Sequence, residues 1–279
     1  MKRPSPTKIR PAALLLLLVI TIAAMYMLRQ CSHRTPEIWD GTPRPSQGDT
    51  IDVAIEYSPM SLYRYADTLG GFSYDMIRHI ASDNGLTLKF HPLTALSEGL
   101  NGLNTGLYDI VVADMPSTAS YGSEYRFTEP VLLDRQILVQ RLDSASAQPS
   151  VGTQLDLAGR TVYVTYGSAA AGRLDNLARE IGDTIIVRQS EEYSAEQLFI
   201  LTASGHLPLA VVNEKVARRL AQSYPLAHIS TGISFTQFQS WVVAARDTTL
   251  AAKLDSMIVR TKSTPWYEEL LKRYNRESM

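Results

Sequence analysis

Hydrophobic and polar residues alternate with two different periods along the chain from residue 51 onward. Ile80 follows Ile77 and Met76 by three and four residues, a spacing that predicts an amphipathic helix. Gly85 ends this pattern, and the alternation of residues 86–90 predicts a strand. Helical and strand-like segments continue to exchange in this way almost to the end of the chain. Because helices that join parallel strands cover both faces of a sheet, the pattern predicts an α/β fold with a largely parallel sheet.

The alternating segments fall into two similar blocks, and this predicts two lobes. Each block has a strand, a turn rich in Gly or Ser and a helix. The β-rich run 131–141 leads out of the first block, and the run 235–243 leads back towards it. We therefore predict a first lobe of residues 51–137 plus 240–279 and a second lobe of residues 138–239. A single open sheet is the alternative that the same alternation allows.

A largely apolar run, residues 12–28, follows a basic N-terminus. As a helix it would measure roughly 26 Å at about 1.5 Å per residue, enough with its flanks to cross the core of a bilayer. Four bases upstream favour a cytoplasmic N-terminus and an exported body. No small-residue cleavage site follows closely, so we expect residues 1–33 to form an uncleaved, single-pass signal anchor in the cytoplasmic membrane, with the body in the periplasm.

Cys31, the single cysteine, lies just beyond the apolar run. It cannot form an internal disulfide, so the fold must rely on its core. Its position makes it a candidate for lipid modification, and a lipoprotein is the alternative to the helical anchor. Leu28, Arg29 and Gln30 disfavour that alternative, because such a processing site uses small residues before the cysteine. Residues 34–50 are rich in Pro and Gly and predict an extended tether.

The formal net charge of -1 conceals an asymmetry. Residues 1–34 hold six of the 27 bases and no acid, which leaves 21 bases against 28 acids, or -7, for the rest. Nucleic-acid binding needs clustered bases, so we expect no nucleic-acid partner. The five histidines lack metal-ligand spacing, and HExxH, GxSxG and Walker motifs are all missing from the sequence. We expect neither a metal, nor a cofactor, nor catalysis.

Polar side chains follow the predicted strands, where open α/β sheets place their ligands. In the second block, Ser168 opens a helix whose free N–H groups suit an anionic group, with a simple N-cap role as the alternative. Its counterparts in the first block follow the first strand and the strand of residues 109–113. The predicted ligand-binding residues are Tyr57, Ser61, Tyr63, Ser117, Thr118, Tyr121, Ser168 and Asn213.

The segments EYSPMSLY, GGFSYDM, GLYDIVVAD, RFTEPVL and VVNEKVA resemble motifs of the bacterial extracellular solute-binding proteins of family 3. Their order and spacing over residues 51–279 are most similar to the N-terminal binding domain of the membrane-bound lytic murein transglycosylase F enzymes. The resemblance implies a two-lobed, type II periplasmic binding protein-like fold that closes on a small ligand at a hinge of two crossover strands. In those enzymes a lysozyme-like catalytic domain follows, and the resemblance here covers the binding half alone.

The same resemblance implies which ligand is not expected. Amino-acid-binding members of the family carry an Arg at the position of Tyr121 and an Asp at the position of Asn213. These charges hold the carboxylate and ammonium groups of the ligand. Neutral residues at the two positions would not offset the cost of removing those groups from water. We therefore expect a ligand other than a free α-amino acid, such as a sugar or a peptide fragment, that is uncharged or rich in amides.

The predicted function is that of a membrane-anchored extracytoplasmic solute-binding protein in transport or sensing. An ABC permease or a cell-wall enzyme is the candidate protein partner. The first alternative is an envelope regulator related to lytic murein transglycosylases that has lost ligand binding. The second is a lytic transglycosylase that acts through an unrecognised site or a partner enzyme.

Overall fold

The computed structural model describes Thr21, Met25 and residues 50–117, 121, 123–143 and 148–276. Apart from Thr21, Met25 and Thr50, the predicted anchor and tether lie outside the described residues, as do Cys31 and Thr118. Among the described residues, no helix is long and apolar enough to span a bilayer. The fold described below is therefore that of residues 50–276.

Helices and strands alternate through this part of the chain. The helices are α1 (Phe72–Asn84), α2 (Leu96–Asn104), α3 (Ala169–Ile181), α4 (Ala195–Ala203), α5 (Glu214–Ala221), α6 (Thr248–Lys262) and α7 (Pro265–Arg276). The strands are β1 (Thr50–Glu56), β2 (Tyr63–Tyr65), β3 (Thr68–Gly70), β4 (Thr87–Leu93), β5 (Ile110–Pro116), β6 (Tyr125–Phe127), β7 (Leu132–Asp134), β8 (Gln136–Arg141), β9 (Thr161–Thr165), β10 (Ile186–Ser190), β11 (Leu209–Asn213), β12 (Ala227–His228) and β13 (Gln237–Ala244).

The helix predicted from Met76, Ile77 and Ile80 is confirmed as α1. All three side chains are at most 2% exposed, so the spacing found in the sequence marks the face that packs on the sheet. Gly85 follows with a φ of 65°, the left-handed conformation that glycine adopts at a helix C-terminus without strain. The periodicity therefore predicted both the face and the end of this helix.

Two sheets, one for each lobe, form the centre of the fold. The first has the strand order β4–β1–β5–β13–β6, with β7 also paired to β13. The second has the order β10–β9–β11–β8–β12. The predicted two-lobed α/β architecture is thus confirmed, and the single open sheet is excluded.

The prediction of a largely parallel sheet is wrong, because both sheets are mixed. β1 runs parallel to β4 and β5, and β9 runs parallel to β10 and β11. β13, however, is antiparallel to β5, and β8 is antiparallel to β11. These two strands enter their sheets from the other lobe rather than through a helical crossover, and this reverses their direction.

The chain passes between the sheets at two places. β7 ends at Asp134 in the first sheet and β8 begins at Gln136 in the second, so Arg135 lies at the first crossing. The return crossing lies between β12 and β13. Two strand-like connections of this kind suit a hinge.

Helices cover both faces of each sheet with separate apolar cores. In the first lobe, α1, α6 and α7 pack around Trp241 on one face, while Leu100 and Leu103 of α2 pack on the other. In the second lobe, α3 covers one face through Leu174, and α4 covers the other through Phe199. The cores hold the carboxyl ends of the parallel strands in place, and these ends carry the polar residues described next.

Candidate functional site

The two lobes meet where the first sheet faces the start of α5. The side-chain N–H of Asn213, from the second lobe, donates a hydrogen bond to the backbone carbonyl of Asp114 in β5, with 2.9 Å between Nδ2 and O. Val216 of α5 is 3% exposed and packs within the apolar core of the first lobe. The structure therefore has the lobes in contact across the cleft.

The loop after β1 forms the first-lobe wall of this cleft. Its carbonyls at Met60 and Ser61 accept hydrogen bonds from Ser73 N and Tyr74 N, at 3.1 and 3.0 Å. These amides belong to the first turn of α1, where no carbonyl of the helix itself can accept from them. The loop is thus fixed by the helix it precedes.

Gly71, which precedes α1, allows this loop to approach closely. Its φ is 140°, and a Cβ placed there would lie 2.3 Å from the backbone oxygen of Ser61. Its N–H donates to the hydroxyl of Tyr274 in α7 at 2.9 Å, and this hydroxyl donates to Oδ2 of Asp75 at 2.8 Å. The last helix described therefore holds the turn that positions the cleft loop.

A cavity of about 520 Å³ lies at the mouth of the cleft. The first lobe lines it with Tyr57, Tyr63 and Arg64, and the second lobe with Glu196 and Arg219. The guanidinium carbon of Arg219 lies 4.9 Å from the centre of the Tyr63 ring, a cation–π contact between the lobes. Another hollow, of about 580 Å³, lies along α6 on the first lobe and is lined by none of these residues.

Asp114 is the most unusual polar residue of the cleft. It is 8% exposed, and neither of its carboxylate oxygens has a hydrogen-bond partner among the described residues. Burial and the charge of Glu56 raise its pKa to about 7, against the opposing effects of Lys215 and the Ser73 hydroxyl. Ser73 lies close, but no hydrogen bond of ordinary geometry joins the two side chains. An unpartnered buried carboxyl costs stability.

Glu56 and Asp134 lie near this carboxyl. Burial and the charge of Glu196 raise the pKa of Glu56 to about 7, although this residue keeps some exposure to solvent. Burial and the charge of Asp114 raise the pKa of Asp134 to about 7 as well. Asp134 nevertheless accepts from Arg135 N at 2.8 Å and from Lys215 N at 3.3 Å. Asp134 therefore has hydrogen-bond partners, whereas Asp114 has none among the described residues.

Two further predicted residues face each other across the cleft. Tyr121 is partly buried in the first lobe, with its phenol beside the backbone of Ala169 in α3; burial raises the pKa of the phenol well above its ordinary value, against the lowering effect of this backbone. Ser168, the residue before Ala169, occupies the N-cap position of α3, but its side chain makes no capping hydrogen bond. Its buried Oγ has no partner among the described residues. The simple N-cap role does not account for Ser168.

The other predicted residues lie in different surroundings. Tyr57 and Tyr63 share the mouth cavity, and Asn213 bonds to Asp114. Ser61 is fully buried, and its Oγ has no partner within the described residues. Ser117 follows β5 and is exposed.

The acidic residues of the cleft were missed by the sequence reasoning. Glu56 ends β1, and Asp114 lies in β5, where every residue is buried. A charged residue inside an apolar strand was the available signal for Asp114. Glu196 and Arg219 reach the cleft from helices of the second lobe, and no short motif marks them.

Comparison with known proteins shows a family and a fold. The sequence model of the bacterial extracellular solute-binding proteins, family 3, matches residues 50–277. An ancestral arginine-binding protein bound to arginine has a similar structure, with a TM-score of 0.69, 21% identity, and coverage of 81% of this chain and 98% of that chain. At this identity the likeness establishes the fold.

The sequence relatives include envelope enzymes. The chain is 26% identical over 228 residues to the membrane-bound lytic murein transglycosylase F of Desulfosudis oleivorans, covering 82% of this chain and 49% of that protein. It is 22% identical over 272 residues to the protein of the same name from Pseudomonas fluorescens, covering 97% and 54%. The chain thus spans about half the length of the curated relatives it matches.

Proposed function

The chain belongs to the bacterial extracellular solute-binding proteins, family 3, and from this premise we propose that it captures a small ligand between its two lobes by hinge closure. The proposed location is the outer side of the cytoplasmic membrane, with residues 12–28 as the anchor. The proposed lobes are residues 51–137 plus 240–279 and residues 138–239. The crossings at Arg135 and between β12 and β13 would act as the hinge.

The unpartnered polar groups at the cleft carry this proposal. The Oγ atoms of Ser61, Ser73 and Ser168 and both carboxylate oxygens of Asp114 are buried without hydrogen-bond partners among the described residues. Each such group costs about 1–3 kcal/mol relative to a satisfied one. Folded proteins leave few of them, so several around one cleft point to a ligand that supplies the partners.

The predicted cleft residues remain part of the proposal. Tyr57 and Tyr63 would stack on the ligand at the mouth, while Ser61, Ser117, Thr118, Tyr121, Ser168 and Asn213 would offer hydroxyl and amide groups. Tyr121 and Asn213 are neutral and engaged in contacts between the lobes. A free α-amino acid is therefore not the proposed ligand, and a peptide fragment or another amide-rich compound suits this lining better.

Regulation of a cell-wall enzyme is a second candidate function. The relatives are named membrane-bound lytic murein transglycosylase F. On this reading the chain is a regulator in the cell envelope that works with a cell-wall enzyme, rather than the binding protein of an ABC permease. Binding in the cleft is a requirement of the first candidate only.

The test is calorimetric titration of the full chain with amino acids, short peptides, sugars and soluble cell-wall fragments. Binding of one class, lost in Tyr121→Ala and retained in the control Tyr193→Ala, supports capture in the cleft. Tyr193 is an exposed residue of the second lobe and does not line the mouth cavity. If no class binds, or if Tyr121→Ala binds as the wild type does, capture in this cleft is wrong. Co-purification with a cell-wall enzyme would then support the regulator.

A further inference from the structure

The chemical class of the ligand can be read from the charges around β5. We propose that Asp114, together with Glu56, receives a positively charged nitrogen of the ligand. This inference rests on the proposed capture of a ligand in the cleft and narrows its class. It adds a buried charged anchor to the hydroxyl, amide and aromatic groups proposed above as ligand contacts.

The first observation is the isolation of the Asp114 carboxyl. The side chain is more than nine-tenths buried, and both oxygens lack a partner within the described part of the chain. Its own backbone carbonyl is bonded across the cleft to Asn213, so the residue lies where the lobes meet. Asp134 is a useful contrast, because its carboxylate is buried to a similar degree but accepts two backbone N–H groups. Within the described part of the chain, the carboxylate of Asp134 has hydrogen-bond partners and that of Asp114 has none.

The second observation is the sign of the surrounding charge. Glu56 acts on Asp114, and Glu196 acts in turn on Glu56, so three acids from both lobes influence one another. Lys215 is the cation that acts on Asp114, and it also acts on Asp134. One lysine shared between two buried carboxylates leaves Asp114 itself short of positive charge, because Arg64 and Arg219 line the mouth cavity beside Glu196 and do not act on Asp114. An anionic ligand would increase the repulsion, whereas a cationic group would relieve it.

The third observation concerns the kind of cation. The described residues contain no group of three or more His, Cys, Asp or Glu side chains arranged to hold a metal ion. An ammonium or guanidinium group needs fewer carboxylate partners than a metal ion does, and it donates hydrogen bonds to several acceptors. The unpartnered hydroxyls of Ser61 and Ser73 lie at the same wall of the cleft and can accept from it. The ligand is therefore an amine- or guanidine-bearing compound, such as a peptide fragment, without the zwitterion of a free α-amino acid.

The experiment compares pairs of probes that differ in the charge of one nitrogen, which acetylation removes. The first pair is the tripeptide Ala-Lys-Ala, acetylated and amidated at its ends, and the same peptide with an acetylated lysine side chain. The second pair is Ala-Ala amide with a free and with an acetylated N-terminus. Calorimetry with the full chain at pH 8 should show that the cationic member of at least one pair binds ten-fold or more tightly than its neutral partner.

Three variants connect this preference with the site. Asp114→Asn should abolish it, and Glu56→Gln should reduce it at least three-fold. Asp52→Asn, a carboxylate at the opposite end of the first sheet, should retain it. Thermal unfolding of each variant establishes that it is folded, and Glu56→Gln serves as the second test if Asp114→Asn is not.

Every other result overturns the inference. If neutral members bind as tightly as cationic ones, or if both cleft variants keep the preference, a ligand binds but not through Asp114. In that case the proposed capture stands and this inference fails. If neither the peptides nor any compound of the wider panel binds, both fail together.

Discussion

Replacement of Asp114 by Asn should stabilise the protein, although most changes to buried residues do the opposite. Asn has the same shape and removes only the charge. The carboxylate makes no hydrogen bond within the described residues that the substitution would break. A residue kept for ligand binding rather than for stability is expected to behave in this way.

The size of the effect follows from the pKa. Burial and the charge of Glu56 raise the pKa of Asp114 from 3.8 to about 7. At about 1.4 kcal/mol for each pH unit, the ionised side chain costs the folded state at most about 4 kcal/mol. Structural relaxation lowers such values in real proteins, so about 2 kcal/mol is the expected gain. For a protein of this size that corresponds to a rise of roughly 4–8 °C in melting temperature.

The sign of the pH dependence makes the prediction specific. A raised pKa means that the folded wild type has its full stability below pH 3.8 and loses it progressively as pH rises to about 7. Asn is neutral throughout, so the advantage of the variant should grow between pH 4 and pH 7 and stay constant above. Thermal unfolding of both proteins, followed by circular dichroism at pH 4, 5.5, 7 and 8, measures it.

Asp52→Asn is the matched control with the opposite sign. Burial raises the pKa of Asp52, but its hydrogen bond with His91 and the charge of Lys89 together lower the pKa by more. The net pKa of Asp52 is therefore below its ordinary value. The Oδ1 atom lies 2.7 Å from Nε2 of His91. This variant should be less stable than the wild type at pH 7, with a difference that disappears at acid pH. Two results would show that the carboxylate has a partner and that the reasoning is wrong. One is an Asp114→Asn melting temperature below that of the wild type at pH 8. The other is a difference in melting temperature that does not change with pH.

Three further predictions concern the cleft loop and the closed lobes. Gly71→Ala should lower the free energy of unfolding by roughly several kcal/mol, because the new Cβ would lie 2.3 Å from a backbone oxygen and the backbone would be strained. Gly85→Ala is the control, since nothing lies within 4 Å of its Cβ, and it should cost about 1 kcal/mol. Urea titration measures both. Tyr274→Phe removes two hydrogen bonds and should cost about 1–3 kcal/mol, with a matching rise in hydrogen exchange at Gly71 N. Asn213→Ala removes a bond between the lobes and should increase the radius of gyration in X-ray scattering; an unchanged radius would show that this bond does not hold the lobes together.

Much of the fold could be predicted because its elements are long and periodic. The helix that the sequence predicts to end at Gly85 and the strand predicted at residues 86–90 are both present, as α1 and β4. β2, β3, β6 and β12 were missed, since two or three residues show no periodicity. The direction of β8 and β13 depends on the path of the chain between lobes, which local patterns do not encode.

The site was less predictable because its chemistry depends on burial by the second lobe. The predicted residues were polar groups at strand ends, and the structure places Tyr121 and Asn213 in contacts between the lobes. Asp114 is unusual because its buried carboxylate has no hydrogen-bond partner among the residues that the structure describes. A sequence shows which residues are acidic, but not which of them the fold leaves without a partner.

The central claim is that a ligand closes the two lobes over the cleft. Spin labels on Lys253→Cys and Arg188→Cys, in a Cys31→Ser background, report the distance between exposed positions on α6 of the first lobe and β10 of the second. Saturation with the cationic tripeptide should narrow this distance distribution. The same addition should leave an Asp114→Asn protein unchanged. Identical distributions with and without peptide in the wild type, under conditions where calorimetry shows binding, would contradict capture by hinge closure.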